Sequence, residues 1–542
     1  MLSDKLNYDA MYQPYASNRY CITAKNGMVA TGSNLASAAG LAILRKGGNA
    51  VDAAVATAAA LTVVEPTANG LGSDCFALVW MKDKLYGLNG SGISPRNITR
   101  EDVASRAADG KMPTYGWTPV MVPGAVRSWA ALVGRFGKLS LAEDLAPAIA
   151  YAEEGYPLSP LLAHMWERSV KAYTKRFAGK HEYDEWFRTF TKNGETYRFG
   201  DVVKLPGHAR SLKLIAESNA DAYYEGEIAG QFVRQSARDG GYFCAEDLKE
   251  YRPQWVDPVS VNYRGYDVWE IPPNGQGMVA LMALNILKEF SFTQKECVDT
   301  YHKQFEAIKL AFADGKHYIT DLRYMQVDYH DLLKPEYGRA RASLITDTAG
   351  LPGPGEPNNG GTVYLSAADS EGNMISYIQS NYMGFGSGIV LEGYGVSLQN
   401  RGADFSLDPK DANVLAPLKK TYHTIIPGFL TKGDKAVGPF GVMGGYMQPQ
   451  GHVQAVMNMV DFGLNPQMAL DAPRWQWIAG NKFTIEPEFN TEIAKQLRDR
   501  GHDVSFALDR TSFGRGQIIN RLENGVLVGG TESRTDSNIA CW

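Results

Sequence analysis

Asn359-Gly360-Gly361-Thr362-Val363 sets two glycines and a threonine where a Pro- and Gly-rich run meets a strand-like one. Such a junction suits a chain that cuts itself. A threonine released as a chain end carries a hydroxyl nucleophile and an α-amine on one residue, and the amine can take the hydroxyl proton without metal, triad or cofactor. An α-amine titrates near ~7.7–8.0, so it is a base at neutral pH once it leaves the peptide bond. Gly360 and Gly361 lower the steric cost of bending the backbone until the Thr362 hydroxyl reaches the Gly361 carbonyl. An arbitrary Gly-Gly-Thr is more often only a loop entering a strand, so its surroundings must carry the reading.

Upstream, LPGPGEPNNGG from Leu351 to Gly361 reads as a loop by its turn chemistry. Downstream, TVYLSAAD and NMISYIQS are two strand-like runs about Ser370-Glu371-Gly372, a hairpin. A three-residue loop with Gly372 in the left-handed position sets Thr362 opposite Ser380, and a two-residue turn sets it opposite Asn381. Both registers stay open on sequence. Further on, Gly444 and Gly445 in Val442-Met-Gly-Gly-Tyr446 offer unobstructed backbone N–H groups of the kind that hold an oxyanion.

The elements that must position these residues are partly legible. Ser33 to Arg45 has helical spacing, capped by Ser33 or Asn34 and stopped by Gly47-Gly48. Asn49 caps an Ala-rich helix over Ala50 to Val64, ended by Pro66. Cys75–Trp80 and Leu85–Leu88 read as strands about Lys82-Asp83. Ser140 caps a helical pattern to Glu154 that Pro147 should kink or divide, and Met165 to Tyr197 reads as a peripheral helical excursion with little periodicity. Tyr266–Ile271 is a strand, and the turn Pro272 to Gly277 feeds a helix over Met278 to Lys288.

Five separated motifs fall in one order: Gly47-Gly-Asn-Ala-Val-Asp-Ala-Ala-Val-Ala56, Val122-Pro-Gly-Ala125, Pro147-Ala-Ile-Ala-Tyr-Ala-Glu-Glu-Gly-Tyr156, the Thr362 hairpin and Gly444-Gly445. In these the chain resembles the γ-glutamyltranspeptidases from about Ala30 to near its end. The resemblance implies an α+β fold, the αββα four-layer sandwich of N-terminal-nucleophile hydrolases, made as a precursor and cut between Gly361 and Thr362. Residues 1–361 would form the large subunit and 362–542 the small one, as one interwoven domain. It also implies Thr362 as nucleophile, Ser380 beside it, Gly444 and Gly445 as the oxyanion hole, and a turn at 272–277 near the active cleft.

Substrate recognition departs from the family. Where the γ-glutamyl enzymes carry a carboxylate-binding arginine in Arg-Glu-x-x-Pro, this chain has Asn89 to Pro95 without one; where they carry Ser-Ser before a proline it has His423-Thr424; and where a glutamine precedes the amine-binding aspartate it has Arg401, with the aspartate kept as Asp404. An arginine fork suits a carboxylate bound in a new place. Arg401, Asp404, His423 and Thr424 are therefore the expected substrate-binding residues. A plain Arg401–Asp404 salt bridge and a neutral core His423 stay open beside that reading. The expected activity is hydrolysis of a small carboxylate-bearing amide, of acylase or oxamate type, through an acyl-enzyme on Thr362. Two alternatives remain: a true γ-glutamyltransferase or glutathione hydrolase, and a processing-dead binding protein.

Bulk composition agrees with a soluble globule: 542 residues, 44% apolar, 21% charged, net charge −5. No basic cluster interleaves with aromatics, which argues against nucleic acid. The first twenty residues have no apolar core of a secretory signal, and Ala53 to Val64 is too short for a bilayer, so the expected place is the cytoplasm, away from membranes. Five scattered cysteines without CxxC spacing read as reduced thiols, and nine histidines without HExxH give no metal site. The expected partners are the amide substrate and the chain's own two fragments, with assembly of the processed pair into a homo-oligomer left open; no cofactor is expected.

Overall fold

The hairpin after the junction is the centre of the molecule. In a computed structural model, which describes residues 19–107, 109–351 and 361–542, strands Gly361–Asp369 and Met374–Tyr382 pair antiparallel from Ala368↔Met374 to Val363↔Gln379. Ser370-Glu371-Gly372 closes them as a three-residue loop, with Gly372 at φ 88°. Asp369 Oδ1 accepts from the N–H groups of Glu371 and Asn373 and holds the turn. The register shifts between Gly361 and Val363, where Gly361 pairs with Tyr382. Thr362 therefore sits at an irregularity facing Ser380, as the three-residue loop predicts. Of the loop expected over 351–361, residues 352–360 lie outside those described.

Both strands are apolar on two faces because both faces are covered. The hairpin lies inside a seven-stranded antiparallel sheet, flanked by Gly27–Thr31 and Asp74–Met81, with Asn538–Cys541 at one edge and Lys84–Gly90 and Gln254–Val256 at the other. A second antiparallel sheet orders Ile22–Ala24, Leu527–Thr531, Arg515–Arg521, Lys435–Met443, Gly428–Lys432, Tyr266–Glu270 and Val259–Tyr263. Phe76, Leu78, Tyr364, Ile378, Phe429, Met443 and Ile519 pack between the sheets. Residues of opposite parity, Leu365, Ala367, Ile375 and Tyr377, face outward under helices Asn34–Lys46, Ala50–Val64 and Ala125–Phe136. On the far side, helices Gly277–Leu287, Val298–Tyr318 and Met447–Val460 cover Val268, Leu430, Phe440 and Ile518 of the second sheet. The result is an αββα sandwich in which each sheet mixes strands from before and after Thr362.

Local rules explain most of the positioning elements. Asn49 and Asp52 form a reciprocal capping box at the helix Ala50–Val64, whose length places Glu65 at its end. Lys82 and Asp83 take positive φ between the paired strands. Two expectations need correction. Pro147 does not divide the helix: Leu141–Glu154 runs on through it, with Leu145, Ala148 and Ala152 buried. The stretch after Met165 is not peripheral: helices Pro160–Phe177 and Asp184–Phe190 bury Trp166, Tyr173, Phe177, Trp186 and Phe190, with Phe385 among them at ring distances of 5.8 Å from Trp166 and 4.6 Å from Phe190. The charged residues between those aromatics hide a helical stripe at 166, 170, 173 and 177. Among the described residues no helix is long and apolar enough to cross a membrane.

Candidate active site

Thr362 is buried, and its hydroxyl has two neighbours that can tune it. The Oγ1 lies 3.1 Å from Ser380 Oγ and accepts from Gln448 Nε2 at 3.4 Å. Ser380 Oγ also accepts from Tyr382 N at 2.8 Å. Gln448 is fixed in turn by Ile426 N, 3.0 Å from its Oε1. Gly444 and Gly445 link the strand Lys435–Met443 to the helix Met447–Val460, at φ 141° and 59°. A Cβ on Gly444 would lie 3.1 Å from Gly514 Cα, so glycine is needed there for conformation and for space. Gln276 Nε2 donates to Gly445 O and Thr424 O at 2.9 and 2.5 Å, so the turn at 272–277 braces this corner.

Beyond Tyr382 the structure gathers all four expected substrate-binding residues. Arg401 is buried; its Nη1 donates to Thr424 Oγ1 at 2.6 Å and its guanidinium lies 4.1 Å over the Tyr382 ring. Asp404 Oδ2 stands 3.7 Å from Arg401 Nη1, an ion pair too long for a hydrogen bond. Among the described residues Arg401 Nε and Nη2 have no hydrogen-bond partner. Asp404 Oδ1 accepts from the phenols of Tyr382 and Tyr446 at 2.7 and 3.1 Å. His423 is a neutral imidazole: Ile425 N donates to its Nδ1, which leaves Nε2–H for Asp74 Oδ2 at 3.0 Å, and burial beside Arg401 and Lys420 pushes its pKa well down. Where the family's arginine is missing, Ser91 is buried and bonded to Asn89.

Sequence reasoning missed the charges around this cluster. Burial pushes the Asp74 carboxyl up to about 7, against Arg401, Lys420 and the N–H groups of Gly92 and Gly124. Burial likewise brings Lys316 down to about 8 with Asp404 opposing, and Lys420 to about 8 with Asp321 and Asp74 opposing. Lys316 contacts the Tyr446 hydroxyl and lies 4.4 Å from the Tyr422 ring centroid. Asp74, a lone acid leading an apolar strand, and Gln448, just past the glycine pair, were the available signals.

Space divides unequally here. A cavity lined by Thr362, Glu65, Arg515 and Met443 has about 10 Å³, room for about one water molecule. Met443 and Arg515 also line an open cleft of about 510 Å³, with Gly444, Tyr173 and Met165 on its walls. The only group among the described residues with metal-ligand chemistry is His302, Glu306 and His502. Its imidazoles are hydrogen-bonded to each other at 2.8 Å, and Lys309 already sits 2.6 Å from Glu306.

A threonine at the start of a central strand of an αββα sandwich, bonded to Ser380 and to Gln448 just past a glycine pair, fits the class of N-terminal-nucleophile hydrolases. The profile of the family described as Gamma-glutamyltranspeptidase matches residues 36–542, and the chain belongs to that family. It is similar to the glutathione hydrolase-like YwrD proenzyme of Bacillus subtilis, 38% identical over 94% of this chain and 97% of that one. It is 33% identical to the oxamate amidohydrolase proenzyme of Klebsiella pneumoniae, over 95% of this chain and 98% of that one. Its fold superposes on cephalosporin acylase from Bacillus halodurans with a TM-score of 0.96 at 56% identity, covering 99% of each chain.

Proposed function

We propose that the chain is a self-cleaving amidohydrolase whose nucleophile is Thr362 and whose substrates are small amides with a carboxylate on the acyl half. The observation that carries this reading is the buried guanidinium edge of Arg401, unpartnered at Nε and Nη2 among the described residues and stacked on Tyr382, whose N–H donates to the Ser380 hydroxyl beside Thr362 Oγ1. Relatives named as an oxamate amidohydrolase and a cephalosporin acylase support it. In the first reaction Thr362 Oγ1 attacks the Gly361 carbonyl, the peptide C–N bond breaks to leave an ester and a free Thr362 amine, and water then opens the ester to release the Gly361 carboxylate and the Thr362 hydroxyl. That amine then takes the hydroxyl proton as Oγ1 attacks the substrate carbonyl, the N–H groups of Gly444 and Gly445 hold the oxyanion, and the leaving amine departs with the proton. Water releases the acid. Loss of one such oxyanion donor typically costs about 2.7–4 kcal/mol of barrier.

Asp404 weighs against the glutathione reading, because Oδ1 already accepts from two phenols and Oδ2, which has no hydrogen-bond partner among the described residues, faces the Arg401 guanidinium at 3.7 Å, a cation that repels an incoming ammonium. Release of glutamate from glutathione at a rate matching other amides would restore that reading. The decisive test is mass spectrometry of the purified protein: wild type yields fragments ending at Gly361 and beginning at Thr362, while Thr362→Ala stays whole and inactive. A wild-type chain that hydrolyses amides uncut would disprove the mechanism; one that stays uncut and inactive would point to a binding protein.

A further inference from the structure

Arg515 repeats the unusual state of Arg401. It sits at the start of the strand Arg515–Arg521, is nine-tenths buried, and spends Nη1 on Glu65 Oε1 at 3.0 Å. Its Nε has no hydrogen-bond partner among the described residues, and its Nη2 meets only the thioether sulfur of Met165 at 2.8 Å. A thioether is a poor acceptor. The Nε and Nη2 hydrogens form the side-on edge by which arginine grips a carboxylate with two parallel bonds. A buried donor left without an oxygen is costly, so an edge held in this state is organised for a ligand that brings one.

The position of that edge says which part of the ligand it meets. Arg515 lines both the small cavity against Thr362 and the open cleft that shares Met443 with it. Arg401 is buried against the Tyr382 ring and lines neither of those spaces. In acyl transfer the acyl half stays bound while the amine departs first, so the half that faces the open cleft is the amine. We propose that Arg515 binds a carboxylate on the amine half, so that the preferred substrate is an amide with an anion on each side of the scissile bond. This rests on Thr362 as nucleophile. Glu65 occupies only Nη1, at 3.0 Å, and so leaves the Nε–Nη2 edge of Arg515 to a ligand; burial pushes its carboxyl up to about 7 against Arg515, which weakens its claim on the guanidinium.

Four anilides test it: succinyl or butyryl as the acyl half, each joined to 4-aminobenzoate or to the uncharged 4-aminobenzamide. For each acyl group the ratio of kcat/KM, aminobenzoate over aminobenzamide, is read in processed wild type and in Arg515→Gln. The ratio falls about ten- to hundred-fold, mostly through KM, and by the same factor for succinyl and butyryl. Glu65→Gln keeps the shape and removes the competing carboxylate, so there the ratio holds or rises. An unchanged ratio in Arg515→Gln, or a fallen one in Glu65→Gln, makes Arg515 a structural partner of Glu65 and overturns the proposal. If Arg515→Gln does not fold, Glu65→Gln decides alone. Absence of all anilide hydrolysis in cleaved wild type would remove the nucleophile reading and this one with it, whereas hydrolysis with unchanged ratios removes only this one.

Discussion

At Arg401 two readings of one side chain can be separated by substitution. Its long ion pair with Asp404 and its bond to Thr424 occupy only Nη1, and its remaining edge is open. Arg401→Gln should therefore lower turnover of succinyl anilides relative to butyryl anilides about ten- to hundred-fold, the worth of a charged hydrogen bond of roughly 1.5–3 kcal/mol. Butyryl anilides, which never used the guanidinium, report whether the site is otherwise intact. Equal losses, or a large drop in melting temperature, would make Arg401 a structural counter-charge for Asp404. The substitution also leaves Asp404 facing an amide, so an accompanying gain of glutamyl transfer would show that Arg401 is what excludes an ammonium.

The hairpin is the element on which the chemistry depends, and its turn and its neighbouring strands both favour one register. Gly372 at φ 88° closes the three-residue loop, and a side chain there costs about 1–2 kcal/mol in the left-handed region. Gly372→Ala should lower stability to denaturant by that amount yet leave cleavage before Thr362, because pairing with Gly27–Thr31 and Asp74–Met81 pins both strands independently. A fragment starting at another residue would show that the turn alone sets the register. This hairpin, apart from its register, the Asn49 cap and the Gly444–Gly445 junction were readable because each is governed by contacts within a few residues. The aromatic helices after Met165 and the Asp74–His423 pair were not, since each depends on a partner hundreds of residues away, such as Phe385 for Trp166. The open edge of Arg515 was equally hidden: a sequence shows which donors a residue has, and only packing shows which of them go unused.

Across the whole molecule, the buried charges around Arg401 predict how substrate choice varies with pH. Asp74, raised to about 7 by burial, contributes stability that is present below its ordinary carboxylate value of 3.8 and lost as pH rises through about 7. Lys316 and Lys420, lowered to about 8 by burial, contribute stability that is present above 10.5 and lost as pH falls through about 8. Between those values the fold carries ionised groups that burial disfavours, a state more apt for binding an anion than for holding the sandwich together. From pH 6 to pH 9 Asp74 gains a negative charge while both lysines lose their positive ones, so the cluster becomes steadily less attractive to a carboxylate. The KM of succinyl-4-aminobenzamide should accordingly rise by about ten-fold relative to its butyryl counterpart over that range. Titration of the free Thr362 amine acts on both substrates alike, so the ratio removes it. Asp74→Asn should flatten the part of the rise centred near pH 7 and leave the part near pH 8. A KM ratio independent of pH in wild type would place the acyl carboxylate away from this cluster, whatever Arg401 contributes by itself.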